Sequence, residues 1–237
     1  MINERGFIMK ILSIISVFLC ISTAVITALS QFLPFFTKKP LHSKMLCSSL
    51  FLLTGIFAAI TSQFSSYSIL MIAALFFGLL GDFWLDYKHS RYFMTGVLFF
   101  SIGHLIYLYI FILHCQPSLL TYWKQILLGF LGLCVAAVLE VIIDKIRFPK
   151  GRIIMILYSF LLMFSFIFAV SRGVVSIING ETGFGACLVA AGGLFLLSDT
   201  FLAVSLYGKP KLSFNDKLVA FTYFPAQALF ALSILFK

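Results

Sequence analysis

The sequence predicts an all-α membrane protein, a polytopic transmembrane bundle of eight helices that forms one integral membrane domain over residues 1–237. Hydrophobic residues make up 62% of the chain and charged residues only 11%, whereas a soluble domain has about 25% charged residues. Several apolar runs have about 20 residues, the length that crosses a bilayer. These observations exclude a soluble enzyme, a disordered chain and a disulfide scaffold. The five cysteines lie within or beside apolar runs and indicate small buried hydrophobic residues.

Eight apolar segments joined by short connections give the predicted helices, at about 9–30, 45–62, 67–87, 92–113, 123–144, 152–171, 183–207 and 216–236. The first resembles a signal peptide because Arg5 and Lys10 precede its apolar run. That run is long and lacks a convincing small-residue cleavage site, so we expect a membrane helix. The later helices are separated by short connections that contain the other prolines, Pro34, Pro40, Pro117, Pro149 and Pro210. Pro225 lies inside the last helix and should kink it.

Basic residues predict the orientation of the bundle. The connections after the first, third, fifth and seventh helices hold 12 of the 17 Lys and Arg residues, and the opposite side holds 5. The positive-inside rule therefore places those connections in the cytoplasm and both termini outside it. The basic N-terminal tail favours the opposite orientation. The net charge of +9 is explained by loops beside anionic lipid, so we expect a lipid bilayer and no nucleic acid as partner.

Polar residues within the apolar runs concentrate in the half of the bundle nearer the basic connections. Asp82 lies near the end of the third helix, and Asp199 lies about two-thirds along the seventh. The other central polar residues are His104, Tyr107, Ser198, Tyr223 and Gln227. The opposite half has almost no ionisable residue. Because lipid-facing positions do not hold carboxylates, we expect these side chains to face one another or a water-filled cavity.

Each of these residues has a structural alternative. Carboxylates near helix ends fit interfacial positions or pairs with neighbouring bases, and these are Asp86, Glu140 and Asp144. Asp82 and Asp199 have no basic residue within one helical turn, which favours function over simple hydrogen bonding between helices. His104 fits a packed residue or a proton relay, and Tyr107 shares its helix face. Only His104 among four histidines is central, so we expect no metal and no cofactor.

Two segments hint at an internal repeat. Gly81-Asp82-Phe83-Trp84-Leu85 and Ser198-Asp199-Thr200-Phe201-Leu202 share a small residue, an aspartate, two spacers and a leucine. The two helices are four apart in the predicted order. A parallel 4+4 repeat would place the aspartates across a pseudo-twofold axis, although so short a match also arises by chance.

An ordered set of short motifs resembles the YhhN-like integral membrane proteins, which include the lysoplasmalogenases. The resemblance spans most of the chain, in the order Lys39-Pro40, Gly81-Asp82-x-x-Leu85, Gly96 with His104 and Tyr107, Gly193–Phe195, Ser198-Asp199, Ala203, and Tyr223 with Ala226-Gln227. The sequence departs at Phe224 and Pro225, where the family pattern has a second tyrosine and a small residue. The resemblance implies hydrolysis of the vinyl ether of a lysophospholipid, lysoplasmalogen, to a fatty aldehyde and glycerophosphocholine or glycerophosphoethanolamine.

Two carboxyls in unlike environments suit that reaction, since one donates a proton and the other directs water. Asp199 lies deeper along its helix, so we expect it to be the acid and Asp82 the base, although the roles are exchangeable. The supporting residues are Lys39, His104, Tyr107, Ser198, Tyr223 and Gln227. The alternative is a small proton- or ion-coupled transporter or lipid-handling channel that uses Asp82, Asp199 and His104. A transport path should be polar towards both faces, and the apolar opposite half favours the enzyme. A purely structural membrane protein is the third possibility.

Overall fold

The computed structural model describes residues 2–32, 40–85, 90–113, 152–207 and 215–237, together with residue 124. Within these ranges the chain forms seven α-helices and one short 3-10 helix, and no strand. They are α1 (Ile2–Phe32), α2 (Pro40–Thr61), α3 (Ser66–Leu85), α4 (Ser90–Leu113), α5 (Arg152–Ile178), α6 (Thr182–Tyr207), α7 (Asn215–Ser233) and the 3-10 turn Ile234–Phe236. Each α-helix corresponds to an apolar span of 20–25 residues, and the last span, Lys217–Phe236, includes the 3-10 turn. The chain is therefore a multi-pass integral membrane protein.

Seven of the eight predicted helices are present, with shifted boundaries. The predicted helix over 123–144 lies outside the described residues, so the count of eight and the 4+4 repeat remain predictions. Two boundaries shift most and by the same amount: α1 begins at Ile2 instead of residue 9, and α5 continues to Ile178 instead of ending at residue 171. Pro40 is the first residue of α2, where its missing N–H costs no hydrogen bond. Pro225 lies inside α7, as predicted.

Contacts between side chains fix the direction of each helix. Asp82 near the end of α3 and Asp199 late in α6 line one cavity, and we call this side of the bundle the carboxylate end. At the opposite side, the far end, the hydroxyls of Tyr67 at the start of α3 and Ser233 at the end of α7 are 2.7 Å apart. Consequently α3 and α6 run towards the carboxylate end and α7 runs away from it.

The helices α4 and α5 run parallel to each other. Phe100 in the first half of α4 and Tyr158 near the start of α5 both line the cavity at the carboxylate end. The Ser165 hydroxyl, two turns further along α5, donates to the backbone carbonyl of His104, one turn further along α4 (3.2 Å). Both helices therefore begin at the carboxylate end. The end of α1 lies there too, since Ser30 lines the same cavity.

Small residues bring α5 and α6 into close contact. A side-chain carbon placed on Gly173 would lie 2.7 Å from the carbonyl oxygen of Gly185, so only glycine fits this crossing. Beyond the crossing, Arg172 lies 3.9 Å from Glu181 and its guanidinium lies over the ring of Phe184. The far end thus holds an ion pair, and Arg172 is an ionisable residue of that half that lies within a helix. The predicted end of this helix at residue 171 had placed Arg172 in a connection.

Candidate active site

A cavity of about 400 Å³ at the carboxylate end contains both predicted aspartates in its lining. All seven α-helices contribute to its lining. The described lining residues are Ser30, Gln31, Ser43, Lys44, Asp82, Leu85, Phe93, Phe100, Tyr158, Ser198, Asp199, Leu202, Val219, Ala220, Tyr223 and Phe224. Most of the exposed lining surface is apolar, so the two carboxyls lie at a polar patch in a largely hydrophobic cavity.

Asp82 is 7% exposed and accepts two hydrogen bonds from other helices. Ser48 of α2 donates to its Oδ2 at 2.5 Å, and Tyr223 of α7 donates to the same oxygen at 3.0 Å. These donors supply part of what a buried carboxyl loses when it leaves water. Among the described residues no donor reaches Oδ1, which leaves one oxygen of Asp82 for a ligand or water.

The hydrogen bonds behind Asp82 form a directed chain. Tyr107 donates to Gln227 Oε1 at 2.7 Å, Gln227 Nε2 donates to the Tyr223 hydroxyl at 3.3 Å, and Tyr223 donates to Asp82. Each hydroxyl or amide donates towards the carboxyl, and hydrogen bonds aligned in this way strengthen one another. The chain needs space beside α3. Gly78 provides it, because a side-chain carbon there would lie 3.0 Å from Gln227 Nε2.

Asp199 is partly exposed and has a different partner. The hydroxyl of Tyr158 in α5 donates to Asp199 Oδ2. Asp82 and Asp199 also interact electrostatically across the cavity. Ser198, the neighbour of Asp199, is 1% exposed and donates to the carbonyl of Val219 at 3.4 Å, which joins α6 to α7. Although Asp199 lies further from the end of its helix, Asp82 is the more buried of the two carboxyls.

His104 lies behind the cavity instead of in its lining. Its ring is 3% exposed and meets the rings of Tyr107, Tyr158 and Phe195 edge to face, at centroid distances of 4.8 to 6.2 Å. Neither ring nitrogen has a hydrogen-bond partner among the described residues. A separate space of only about 10 Å³ adjoins it, on the side of Ser165. This position supports the wall that holds Tyr158.

The predicted site residues therefore fall into three groups. Asp82, Asp199, Ser198 and Tyr223 line the cavity, and Tyr107, Gln227 and His104 lie directly behind it. Lys39 lies outside the described residues. Phe224, where the resemblance departs from its pattern, lines the cavity with its own ring.

Further polar side chains, two of them near the end of α1, line or support the cavity and escaped the sequence analysis. They include Ser48 and Tyr158, which bond the two carboxyls, Lys44, and the polar side chains near the end of α1. Lys44 and Ser48 are four residues apart and share a helix face, and this spacing was the available signal. Within the described ranges no group of three or more metal-ligating side chains occurs.

The arrangement suits general acid–base chemistry on a lipid-like molecule. Two carboxyls lie at one cavity with unlike hydrogen-bond partners, so one is able to hold a proton while the other is ionised. The apolar walls suit a hydrocarbon chain, and the polar patch suits the reacting atoms.

Comparison with known protein families found a match. The sequence profile of the YhhN family matches residues 41–234, which includes every helix from α2 to α7 and leaves out α1. Comparisons with curated proteins and with solved structures found no match.

Proposed function

The chain belongs to the YhhN family, the family of the lysoplasmalogenases, and from this membership we propose that it cleaves the vinyl ether of lysoplasmalogen. The products are a fatty aldehyde and glycerophosphocholine or glycerophosphoethanolamine. The observation that carries the proposal is the pair of carboxyls, Asp82 and Asp199, at one largely apolar cavity with different hydrogen-bond partners.

The reaction begins with transfer of a proton to carbon. Asp199 donates its proton to the β-carbon of the vinyl ether, and the π electrons form the new C–H bond. The ether oxygen stabilises the resulting oxocarbenium ion. Water then adds to the α-carbon while Asp82 accepts one of its protons. At this point the hemiacetal has formed, Asp199 is ionised and Asp82 is protonated.

Collapse of the hemiacetal restores both side chains. Asp82 returns its proton to the glycerol oxygen as the C–O bond breaks, and Asp199 accepts the hemiacetal hydroxyl proton as the aldehyde forms. The net change is addition of one water molecule across the ether bond. No acyl group is transferred, so no nucleophilic serine or cysteine is required.

The hydrogen bonds support this division of roles. Asp82 Oδ2 accepts from both Ser48 and Tyr223, and two donors suit a carboxylate that is ionised before the reaction. Asp199 has one donor, Tyr158, and suits the protonated partner. We propose that Ser198, Tyr107, Gln227 and His104 hold these groups in position and that Lys39 lies near the headgroup.

A proton- or ion-coupled transporter is less well supported. The described lining of the cavity comes from the carboxylate end, and the hydrogen-bonded chain from Tyr107 ends at Asp82. The ion pair of Arg172 and Glu181 lies separately at the far end. A one-sided cavity suits a reaction that takes its substrate from one leaflet.

We also propose that residues 1–237 form a single eight-helix domain with both termini outside the cytoplasm. The helix α4 ends at the far end and α5 begins at the carboxylate end, which supports the predicted additional helix over 123–144. The 12-to-5 distribution of basic residues supports a cytoplasmic position for the carboxylate end. The similar segments around Asp82 and Asp199 suit a 4+4 repeat.

The test is aldehyde release by the purified protein. Lysoplasmalogen and the matched ester-linked lysolipid are supplied separately in the same detergent, and fatty aldehyde and fatty acid are quantified. We expect aldehyde from the vinyl ether and no fatty acid from the ester. Fatty acid release at a comparable rate, or no product from the vinyl ether, would refute the proposed reaction.

A further inference from the structure

One wall of the cavity differs in character from the rest. Near the end of α1 and the start of α2 it is formed by Ser30, Gln31, Ser43 and Lys44, whereas the wall from α4, α6 and α7 is mainly aromatic and aliphatic. Among the described lining residues Lys44 is the one cation. A cation on a wall with hydroxyl and amide donors is a surface that suits an anion.

Hydrogen bonds hold part of this polar wall in place. Ser30 is 5% exposed, its hydroxyl donates to the Thr27 carbonyl at 2.8 Å, and Gln31 Nε2 donates to the Ser30 hydroxyl at 3.2 Å. Ser43 is 8% exposed and directly precedes Lys44. The Thr27 hydroxyl in turn donates to Cys47 Sγ of α2 at 3.5 Å, which joins this part of α1 to α2.

The polar wall lies close to the reacting carboxyl. Lys44 is one helical turn before Ser48, whose hydroxyl bonds Asp82, and a turn rises about 5.4 Å. Lys44 also interacts electrostatically with Asp82. In a lysoplasmalogen the three glycerol carbons and one ester oxygen separate the ether oxygen from phosphorus, a span comparable with that turn. A vinyl ether at Asp82 would therefore bring the phosphate to Lys44.

We propose that Ser30, Gln31, Ser43 and Lys44 form a phosphate subsite, in which the Lys44 ammonium pairs with the phosphate of the lysolipid headgroup. The inference rests on the proposed function and adds the feature that selects the substrate class, phosphate-bearing lysolipids over neutral glycerol ethers. Part of the subsite comes from α1, which lies outside the residues that match the family profile. The side chains at the end of α1 therefore contribute to headgroup preference independently of the residues that match the family profile.

The test compares two substrates that differ only in the phosphate-containing headgroup, lysoplasmalogen and 1-alkenylglycerol. Lys44→Met keeps the apolar stem and removes the charge. We expect it to raise KM for lysoplasmalogen about 10-fold and to leave KM for 1-alkenylglycerol unchanged. Lys44→Arg should restore most of the difference. Lys217→Met is the matched control, since Lys217 lies at the same end on α7 but does not line the cavity, and it should leave both KM values unchanged.

A binding measurement separates this inference from the proposed reaction. The saturated alkyl ether analogue of the lysolipid and the corresponding alkylglycerol are titrated against wild-type and Lys44→Met protein, and binding is followed without turnover. Loss of about 10-fold in affinity for the phosphate compound alone supports the subsite even if no aldehyde is ever released, in which case only the proposed function fails. An equal loss of affinity for both compounds, or no loss for either, would overturn the proposed phosphate subsite. Displacement by inorganic phosphate as strong as by the lysolipid would assign Lys44 to free phosphate and overturn the lysolipid assignment.

Discussion

Replacing each aspartate by asparagine gives the most direct test of the two-carboxyl mechanism. The substitution Asp82→Asn keeps a carbonyl oxygen that accepts hydrogen bonds from Ser48 and Tyr223, the two donors that reach Asp82 Oδ2. The substitution Asp199→Asn likewise keeps an acceptor for the Tyr158 hydroxyl. Neither amide can exchange a proton with the substrate, so the shape of the site is retained while its chemistry is removed.

The expected effects on rate and on stability differ in size. A positioned general acid or base contributes about 10²–10⁴-fold, so kcat should fall by at least about 10²-fold in each variant, which equals about 3 kcal/mol. Weakened hydrogen bonds to a neutral amide cost about 1 kcal/mol each. That cost is offset because an amide does not carry the penalty of burying a charge. The variants should therefore insert and fold like wild type.

Aldehyde release is measured with an aldehyde dehydrogenase that reports through NADH, and folding by size-exclusion profile and thermal melting in detergent. Glu181→Gln is the matched control, because this carboxylate bonds Ser176 at the far end and does not line the cavity. Its turnover should equal that of wild type. Wild-type turnover in either the Asp82 or the Asp199 variant, with intact folding, would refute the two-carboxyl mechanism.

Four further predictions follow from the same site. Tyr223→Phe and Tyr158→Phe each remove a donor to one carboxyl, so kcat should fall about 10-fold or more in each; unchanged kcat would show that these hydrogen bonds have no role in turnover. The rate should depend on pH as a bell, because one carboxyl has to be protonated and the other ionised, and one limb should disappear in each of the asparagine variants at Asp82 and Asp199; a flat profile would contradict this. The saturated alkyl ether lysolipid should inhibit competitively without being cleaved, as initial-rate kinetics can show, since it lacks the double bond that accepts the proton. A reporter fused after Lys237 should be active outside the cytoplasm, and activity only inside would reverse the orientation of the cavity.

The sequence was sufficient to predict a helical membrane protein and two aspartates that line one cavity, because few residue types are tolerated within a bilayer. Apolar runs of spanning length predict helices whatever their partners are. A carboxylate within such a run is costly unless it faces the interior of the bundle. Asp82 and Asp199 lack a base within one turn. The free-energy cost of exposing such a carboxylate to lipid was therefore enough to predict that both face a shared cavity.

Hydroxyl partners of the aspartates were not predictable in this way. Ser48 and Tyr158 are neutral, and such residues are tolerated in membrane helices without a special role. They are 34 and 41 residues from the aspartates they bond, so only helix packing brings each pair together. The end of α5 shows the same limit. A charged residue at the end of an apolar run indicates the start of a connection. In the structure Arg172 remains in α5 and lies 3.9 Å from Glu181, across the turn to α6, and a hydropathy pattern does not show such a pair.

Helix periodicity predicts that His104 and Tyr107 share a helix face, but it does not predict their partners. Three residues turn a helix by about 300°, so the two side chains leave α4 about 60° apart. That angle is enough to give them different neighbours. The Tyr107 hydroxyl donates to Gln227 and joins the chain that ends at Asp82, whereas the His104 ring packs between Tyr158 and Phe195, on the side of Asp199. A shared helix face therefore connects the two residues to different carboxyls, and a substitution at Tyr107 should alter the limb of the pH profile that depends on Asp82, while one at His104 should act through Tyr158.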